Sequence, residues 1–353
     1  MGHYEIRVAS AGDWDAIADG YARAQHRDAR LVRQKIAHGM RGNPHGCSSM
    51  LAVDTDGGVI GHLGVSHVPM QVQGEPHLFG RFSACFIDRA YRAGGVHSLF
   101  FELDRSFQEE FELPERLAAV FGQWDEVDWW FLRHLRGHKA VATSIDLCRA
   151  AGLPVPGGSS ASGGDGGDGG DGITITNAHD GPASAARLDV GVCGVRRDAR
   201  FDAWRAAFPG ATDQGWQAWR AGELTGVAIT RDRSGERLIL DWALAPDDAE
   251  TGHALLRALV ADAAAPVRAR FWTSDLFTLN VFQDAGFVVA AGSEAYLSVR
   301  TVLPRINHLW LSQEWQVTLA DAGVRPLPQL TVGESIVYPP PPGTLDGRGR
   351  YGH

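Results

Sequence analysis

The stretch YRAGGVHSLFFEL, Tyr91 to Leu103, places an arginine and two adjacent glycines between an apolar run and an amphipathic one. Upstream, Arg81 to Ile87 reads as a strand. Downstream, Val96, Leu99, Phe100, Leu103 and Phe107 fall at helical spacing and make one apolar stripe, which Pro114 ends. The stretch is thus a strand-to-helix turn. A helix N-terminus offers unpaired N–H groups and the positive end of a macrodipole, so an anion can sit there if no side chain blocks its approach. Gly94 and Gly95 open that approach, and Arg92 adds a fixed positive charge. The pattern predicts a diphosphate-binding turn.

Working outward, Leu51 to Asp54 and Val59 to Val68 read as two strands joined by a turn at DTDGG. After the stripe helix comes a buried strand, Leu117 to Phe121, then a helix capped by Asp125, then a strand from Ala140 to Cys148. The later chain repeats this order. LTGVAITRDRSGERLILDWAL is a hairpin, DDAETGHALLRALVADA a helix, VRARFW a strand, and SDLFTLNVFQDAGF a helix that ends at glycine. Phe121 precedes Asp125 by the same interval as Phe271 precedes Asp275.

Between the repeats, GLPVPGGSSASGGDGGDGGDG has nothing to bury and reads as a flexible linker over residues 152–172, open to proteolysis. Its Gly-Gly-Asp units lack the apolar positions that let calcium-binding repeats stack. The chain therefore divides into an N-terminal domain, 1–151, the linker, a C-terminal domain, 173–337, and a Pro-rich tail, 338–353. At 353 residues, two domains can each bury a core.

Composition narrows the partners. A net charge of -9, with no basic tract, speaks against nucleic acid, and no apolar run reaches the length of a membrane span. Cys47, Cys85, Cys148 and Cys193 form no CxxC pair, and the N-terminus carries charge where a signal peptide has its apolar core. These features read as a cytoplasmic chain with reduced thiols. A homodimer is compatible with all of them.

The order helix, antiparallel strands, strand-turn-helix, strand, helix, strand resembles the GNAT acyltransferase superfamily. Its phosphate turn, R/Q-x-x-G-x-G/A, is similar to Arg92, Ala93, Gly94, Gly95, Val96 and His97 here, with His97 in place of the last small residue. The resemblance implies an α/β fold of two GNAT-like domains, each a mostly antiparallel twisted sheet flanked by helices, in the tandem layout of mycothiol synthase. It also implies an acyl-coenzyme A co-substrate, acetyl-coenzyme A by default, whose pyrophosphate sits on Arg92 to His97 and whose pantetheine arm pairs with the main chain of Cys85, Phe86 and Ile87. The activity implied is transfer of an acyl group to the amine of a small-molecule or sugar-linked metabolite. A GNAT fold that binds coenzyme A or a metabolite without turnover is the alternative. The second domain's turn, LAPDDAETGH, puts Asp247, Asp248 and Glu250 near the place of Arg92, and carboxylates there repel a diphosphate. The C-terminal domain is accordingly read as a degenerate, non-catalytic partner.

Catalytic groups are harder to find. Many such enzymes carry a glutamate on the strand before the turn and a tyrosine ahead of the glycine that closes the next helix; here those places hold Ser83 and Arg133, and Phe282 in the second domain. Glu126 is the preferred candidate base, beside Asp125, whose first duty is to cap a helix, while His97 stands near the departing thiolate. Trp124, Trp129 and Trp130 fit an acceptor pocket or core packing equally well. Arg27, Arg30 and Arg33 form a basic ridge, either solvated or facing an acidic acceptor. No metal site is expected: Gly137 should end the helix between His134 and His138 and swing the second histidine away, and His62 and His67 have opposite strand parity.

Overall fold

The protein is represented by a computed structural model, which describes residues 3–92, 99–124, 132–133, 136–153, 172–178, 193–196, 199–208, 212–233, 235–272 and 275–316. The first half begins with β1 (Tyr4–Val8), α1 (Trp14–Gln25) and α2 (Ala29–Ile36), the last continued by a π-helical turn, Ala37–Arg41. Asp28 starts α2 by accepting the Leu31 N–H at 3.0 Å, a local cap that its sequence position allows. Then come β2 (Cys47–Asp54), β3 (Val59–Val72), β4 (Glu75–Ile87), α3 (Leu99–Phe111), β5 (Ala119–Trp124) and β6 (Lys139–Arg149).

The second half comprises β7 (Ile173–Ala178), β8 (Cys193–Val195), α4 (Ala199–Ala206), β9 (Asp213–Arg220), β10 (Glu223–Arg233), β11 (Glu236–Leu244), α5 (Ala249–Ala261), β12 (Val267–Trp272), α6 (Leu276–Asp284), β13 (Val288–Thr301), α7 (His308–Glu314) and β14 (Trp315–Gln316). The described elements follow the expected order in both halves, while the helix expected after Asp125 lies largely outside the described residues. Residues 154–171 of the linker, 317–337 at the end of the second half and the tail, 338–353, lie outside the described residues.

All strands belong to one 14-stranded sheet, whose main path runs β1-β2-β3-β4-β5-β13-β6-β12-β11-β10-β9-β7. The last strands of the two halves have changed places. β13 pairs antiparallel with β5 from Tyr296–Trp124 to Thr301–Ala119, and β6 pairs antiparallel with β12 from Arg149–Val267 to Ser144–Trp272. Between them β13 and β6 pair with each other. Each half therefore completes its sheet with a strand from the other.

The core follows this exchange. Leu99, Leu103 and Phe107, the predicted stripe of α3, pack on one face of the first half with Leu63, Val65, Leu117 and Val120. On the opposite face, Ile17 and Ala18 of α1 and Val32 and Ile36 of α2 meet Leu51 and Phe86. A third cluster joins the halves: Met70, Phe79 and Phe121 from the first with Cys193, Phe201, Leu297, Val299 and Leu311 from the second. The second half also has its own core around Leu255, Leu256, Leu259 and Phe282.

Candidate functional site

The site is built where β4 leaves β5. The two run parallel and pair over only Phe79–Arg81 and Ala119–Phe121. Beyond that, β5 continues to Trp124 on β13, while β4 continues to Ile87 on β3. From Ser83 to Ile87 the β4 edge that faces β5 has no strand partner among the described residues. Parting strands leave an opening with main-chain donors and acceptors along one wall, which suits an extended ligand arm.

A bulge sharpens the bend of β4. The register against β3 slips between His62 and Gly64, opposite Ala84, whose φ of 55° lies in the left-handed region. His62 holds it there. Its Nδ1 donates to the Ala84 carbonyl at 2.8 Å, which assigns the tautomer, so Nε2 accepts from Ser49 Oγ at 2.5 Å. Burial pushes the His62 pKa down to about 4, with the Ala84 bond opposing that shift, and the ring stays neutral. This histidine was read only for its strand parity.

Of the residues expected to contact coenzyme, Cys85, Phe86 and Ile87 lie on β4 just after the bulge. The Phe86 ring faces α1 and makes an edge contact with Tyr21, whereas Ile87 packs toward α3 beneath Gly61. The Cys85 thiol bonds the Gly64 carbonyl, and burial raises its pKa to about 11, so it is a packed thiol rather than a nucleophile. Ser83, standing where a glutamate was sought, exchanges a hydroxyl bond with Ser66 at 2.7 Å.

Arg92 is exposed and bent back on the fold. Its Nε donates to the Ile87 carbonyl at 3.0 Å and its Nη2 to the Ala24 carbonyl at 3.2 Å, tying the end of β4 to the end of α1. It has a structural duty besides its charge. Ala93, Gly94, Gly95, Val96 and His97 lie outside the described residues, as do Asp125, Glu126, Trp129, Trp130 and His134. Arg133 is exposed. In the basic ridge, Arg33 pairs with Asp19 at 2.7 Å, and Arg27 and Arg30 are also exposed.

Near the opening, two buried polar atoms have no hydrogen-bond partner among the described residues. Gln123 on β5 donates to Ser144 Oγ at 3.3 Å but leaves Oε1 unpaired. His138 bonds Ser298 Oγ through Nδ1 and leaves Nε2 unpaired. Neither was singled out as functional from sequence, because the signal is a missing partner rather than a motif. Among the described residues no group of histidines, cysteines and carboxylates could hold a metal ion, and no helix is long and apolar enough to cross a membrane.

The equivalent end of the second half is closed. Asp248 caps α5, accepting from the Thr251 N–H at 3.1 Å and its hydroxyl at 2.6 Å, and Arg220 bridges Asp248 and Glu250. The carboxylate thus takes the place an anionic ligand would have at this N-terminus. Phe282 is fully buried beside Trp242.

No family profile and no curated protein matches the chain. Solved structures do match its fold. A GCN5-related N-acetyltransferase from Anabaena variabilis is similar with a TM-score of 0.58 at 12% identity, over 85% of this chain and 73% of that one. A tandem GNAT protein from the clavulanic acid biosynthesis pathway is similar with a TM-score of 0.55 at 12% identity, over 86% of this chain and 99% of that one. A third, a GCN5-related N-acetyltransferase from Kribbella flavida, gives 0.53 at 12% identity, over 86% and 72%. The chain has the fold of these GNAT structures, in its tandem form.

Proposed function

We propose that the chain is an acyl-coenzyme A-dependent N-acyltransferase that moves its acyl group, acetyl by default, directly to the amine of a small-molecule or sugar-linked metabolite. The observation that carries this reading is the parting of β4 from β5 at a bulge fixed by His62. It leaves the main chain of Cys85, Phe86 and Ile87 free to pair with an extended pantetheine arm, and the chain then runs through Arg92 to Gly94 and Gly95, whose residue types suit a diphosphate. Residues 1–151 are the working half and 173–337 the supporting one. Glu126, with Asp125 beside it, is the proposed base, and His97 the group nearest the leaving thiolate.

The supporting half reaches the acceptor side of the first. Trp204 of α4 stacks on the His38 ring, with centroids 5.3 Å apart and planes 7° apart, and donates from Nε1 to the His38 carbonyl at 2.9 Å. This contact lies on the π-helical turn after α2, next to the helices that border the acceptor entry in the proposed reading. A binding protein without turnover is the second reading, favoured by Ser83 and Arg133 at the two places where catalytic groups were sought.

Calorimetry should find one coenzyme A per chain, and Gly95→Glu should abolish that binding without lowering thermal stability. Thiol released from acetyl-coenzyme A in the presence of an amine panel supports the enzyme. Binding without release under every amine supports the second reading, and two sites per chain would refute the assignment of the first half as the working one.

A further inference from the structure

Gly137 has a φ of 68°, and the His138 N–H turns back to the Leu132 carbonyl at 3.3 Å. The turn carries the His138 ring over the exchanged strand β13, where Nδ1 lies 3.0 Å from Ser298 Oγ. Ser298 pairs with Gly122 of β5 on one side and with Ala140 of β6 on the other. The same ring meets Phe82 of β4, with centroids 5.7 Å apart. Phe82 and Gly122 directly follow Arg81 and Phe121, the last pair that β4 and β5 form. His138 therefore spans the point where the two strands part.

The ring has no exposed surface, and its Nε2 has no partner among the described residues. An unpaired ring nitrogen in a dry setting keeps the full cost of its desolvation, so a molecule entering the opening gains by supplying the partner. The surroundings also set its charge. Burial, together with the Arg300 and Arg136 guanidiniums, holds its pKa well below the usual imidazole range; those arginines are in turn ion-paired with Asp104 and, for Arg300, with Glu112. A neutral imidazole in such a place can donate a hydrogen bond without giving up its proton, the pattern by which a neutral histidine polarises a carbonyl.

We propose that His138 is a catalytic residue whose Nε2–H donates to the carbonyl oxygen of the bound acyl thioester and stabilises the negative charge that grows there during attack. This rests on the acyltransferase reading. In this proposal the Ser298 hydroxyl, 3.0 Å from Nδ1, is the donor of that bond, which keeps the proton on Nε2. As the amine nitrogen forms its bond to the carbonyl carbon, the carbon–sulfur bond breaks. Sulfur departs with that electron pair and takes up the proton that nitrogen sheds. His138 holds its own proton throughout.

The test uses the full chain and histidine side-chain nitrogen NMR, with the His138 signal identified by its loss in His138→Gln. The expected result is a ring that is neutral from about pH 6 to 9, as a buried, cation-flanked imidazole requires, and that carries its proton on Nε2, as the proposal requires. Acetyl-coenzyme A should move the Nε2–H proton downfield, coenzyme A without the acyl group should not, and Ser298→Ala should release the tautomer. In turnover, His138→Phe should lower kcat by about 100-fold to 1,000-fold, the usual loss on removing one such donor, with coenzyme affinity kept, and His138→Gln should recover much of it. A proton on Nδ1, an equal response to both coenzymes, or an unchanged kcat in His138→Phe would overturn the proposal. If calorimetry finds no binding of acetyl-coenzyme A to the wild type, the acyltransferase reading fails and takes this one with it. If the wild type binds and releases thiol while the Nε2 signal stays still, only the role of His138 fails.

Discussion

His62 and Ala84 face each other across the β3–β4 ladder, with Nδ1 of the one 2.8 Å from the carbonyl of the other, so a neutral histidine fixes the bulge on which the site depends. The unfolded imidazole titrates near 6.5 and the folded one near 4, so the unfolded chain binds the extra proton between those values. Stability from this group is fully present above pH 6.5 and is lost as pH falls through about 4. At 1.36 kcal/mol per pKa unit, the shift amounts to about 3 kcal/mol. Thermal melts should fall steeply between pH 6.5 and 4, and less steeply in His62→Gln, which keeps a donor but no titration. An equal slope in both proteins would show that other groups govern the acid transition.

Much of this architecture was legible because it is local. The helical spacing of Leu99, Leu103 and Phe107 foretells the buried face of α3, and Asp248 and Asp275 cap their helices as residues of that kind do before an apolar run. Strand lengths were read short: β3 extends to Val72 and β4 begins at Glu75, since Pro69 and Pro76 break an apolar pattern without breaking the ladder between them. The exchange of β6 and β13 left no local trace. Val141 and Leu147 alternate in one as Leu297 and Val299 do in the other, and alternation names a face, not a neighbour. The unpaired Nε2 of His138 was hidden for the same reason, as its environment comes from strands far apart in sequence.

Gly61 sets how closely α3 lies on β3. A Cβ there would stand 2.9 Å from Leu103 Cδ1, 3.0 Å from Ile87 Cδ1 and 3.2 Å from Leu99 Cδ2, all core contacts. Gly61→Val should therefore overpack this layer, with a loss of about 1 to 3 kcal/mol by denaturant melts. Because Ile87 closes β4 beside the opening, coenzyme affinity should fall as well. Unchanged stability would mean that α3 can lift away freely.

Arg300 on β13 joins the exchanged strand to α3. It donates from Nε to Glu112 at 2.8 Å and from Nη2 to Asp104 at 3.1 Å, and Nη1 reaches the Arg136 carbonyl at 3.1 Å. Arg136 also pairs with Asp104, and all four side chains of this ion group are buried or nearly so. Arg300→Met would leave Glu112 without a cation in a poorly solvated place and Asp104 with Arg136 alone, so the loss should be about 3 to 5 kcal/mol, the range for breaking a buried pair from one side. Adding Glu112→Gln should restore part of it, while Asp104 keeps its pair with Arg136. A loss under 1 kcal/mol would place the group in better contact with water than its burial implies.

The exchanged strands make the two halves depend on each other in a way that cutting the chain can measure. A specific protease site placed within the Gly-Gly-Asp repeats would sever the only covalent link between residues 1–153 and 172–353. Independent domains would then separate on a sizing column. Here the first half contributes β6 to a ladder between β13 and β12, and the second contributes β13 to β5, so separation requires two central strands to be pulled from the sheet. The shared cluster around Phe79, Phe121, Leu297 and Val299 would be opened at the same time. The nicked protein should accordingly elute as one species of full mass, melt in one transition, and come apart only in denaturant. The first half expressed alone should be insoluble or bind no coenzyme, because β5 would lack its β13 neighbour, and supplying the second half as a separate chain during refolding should restore both. Two species on the column after cleavage without denaturant would show that each half can close its own sheet and that the exchange does not hold in solution.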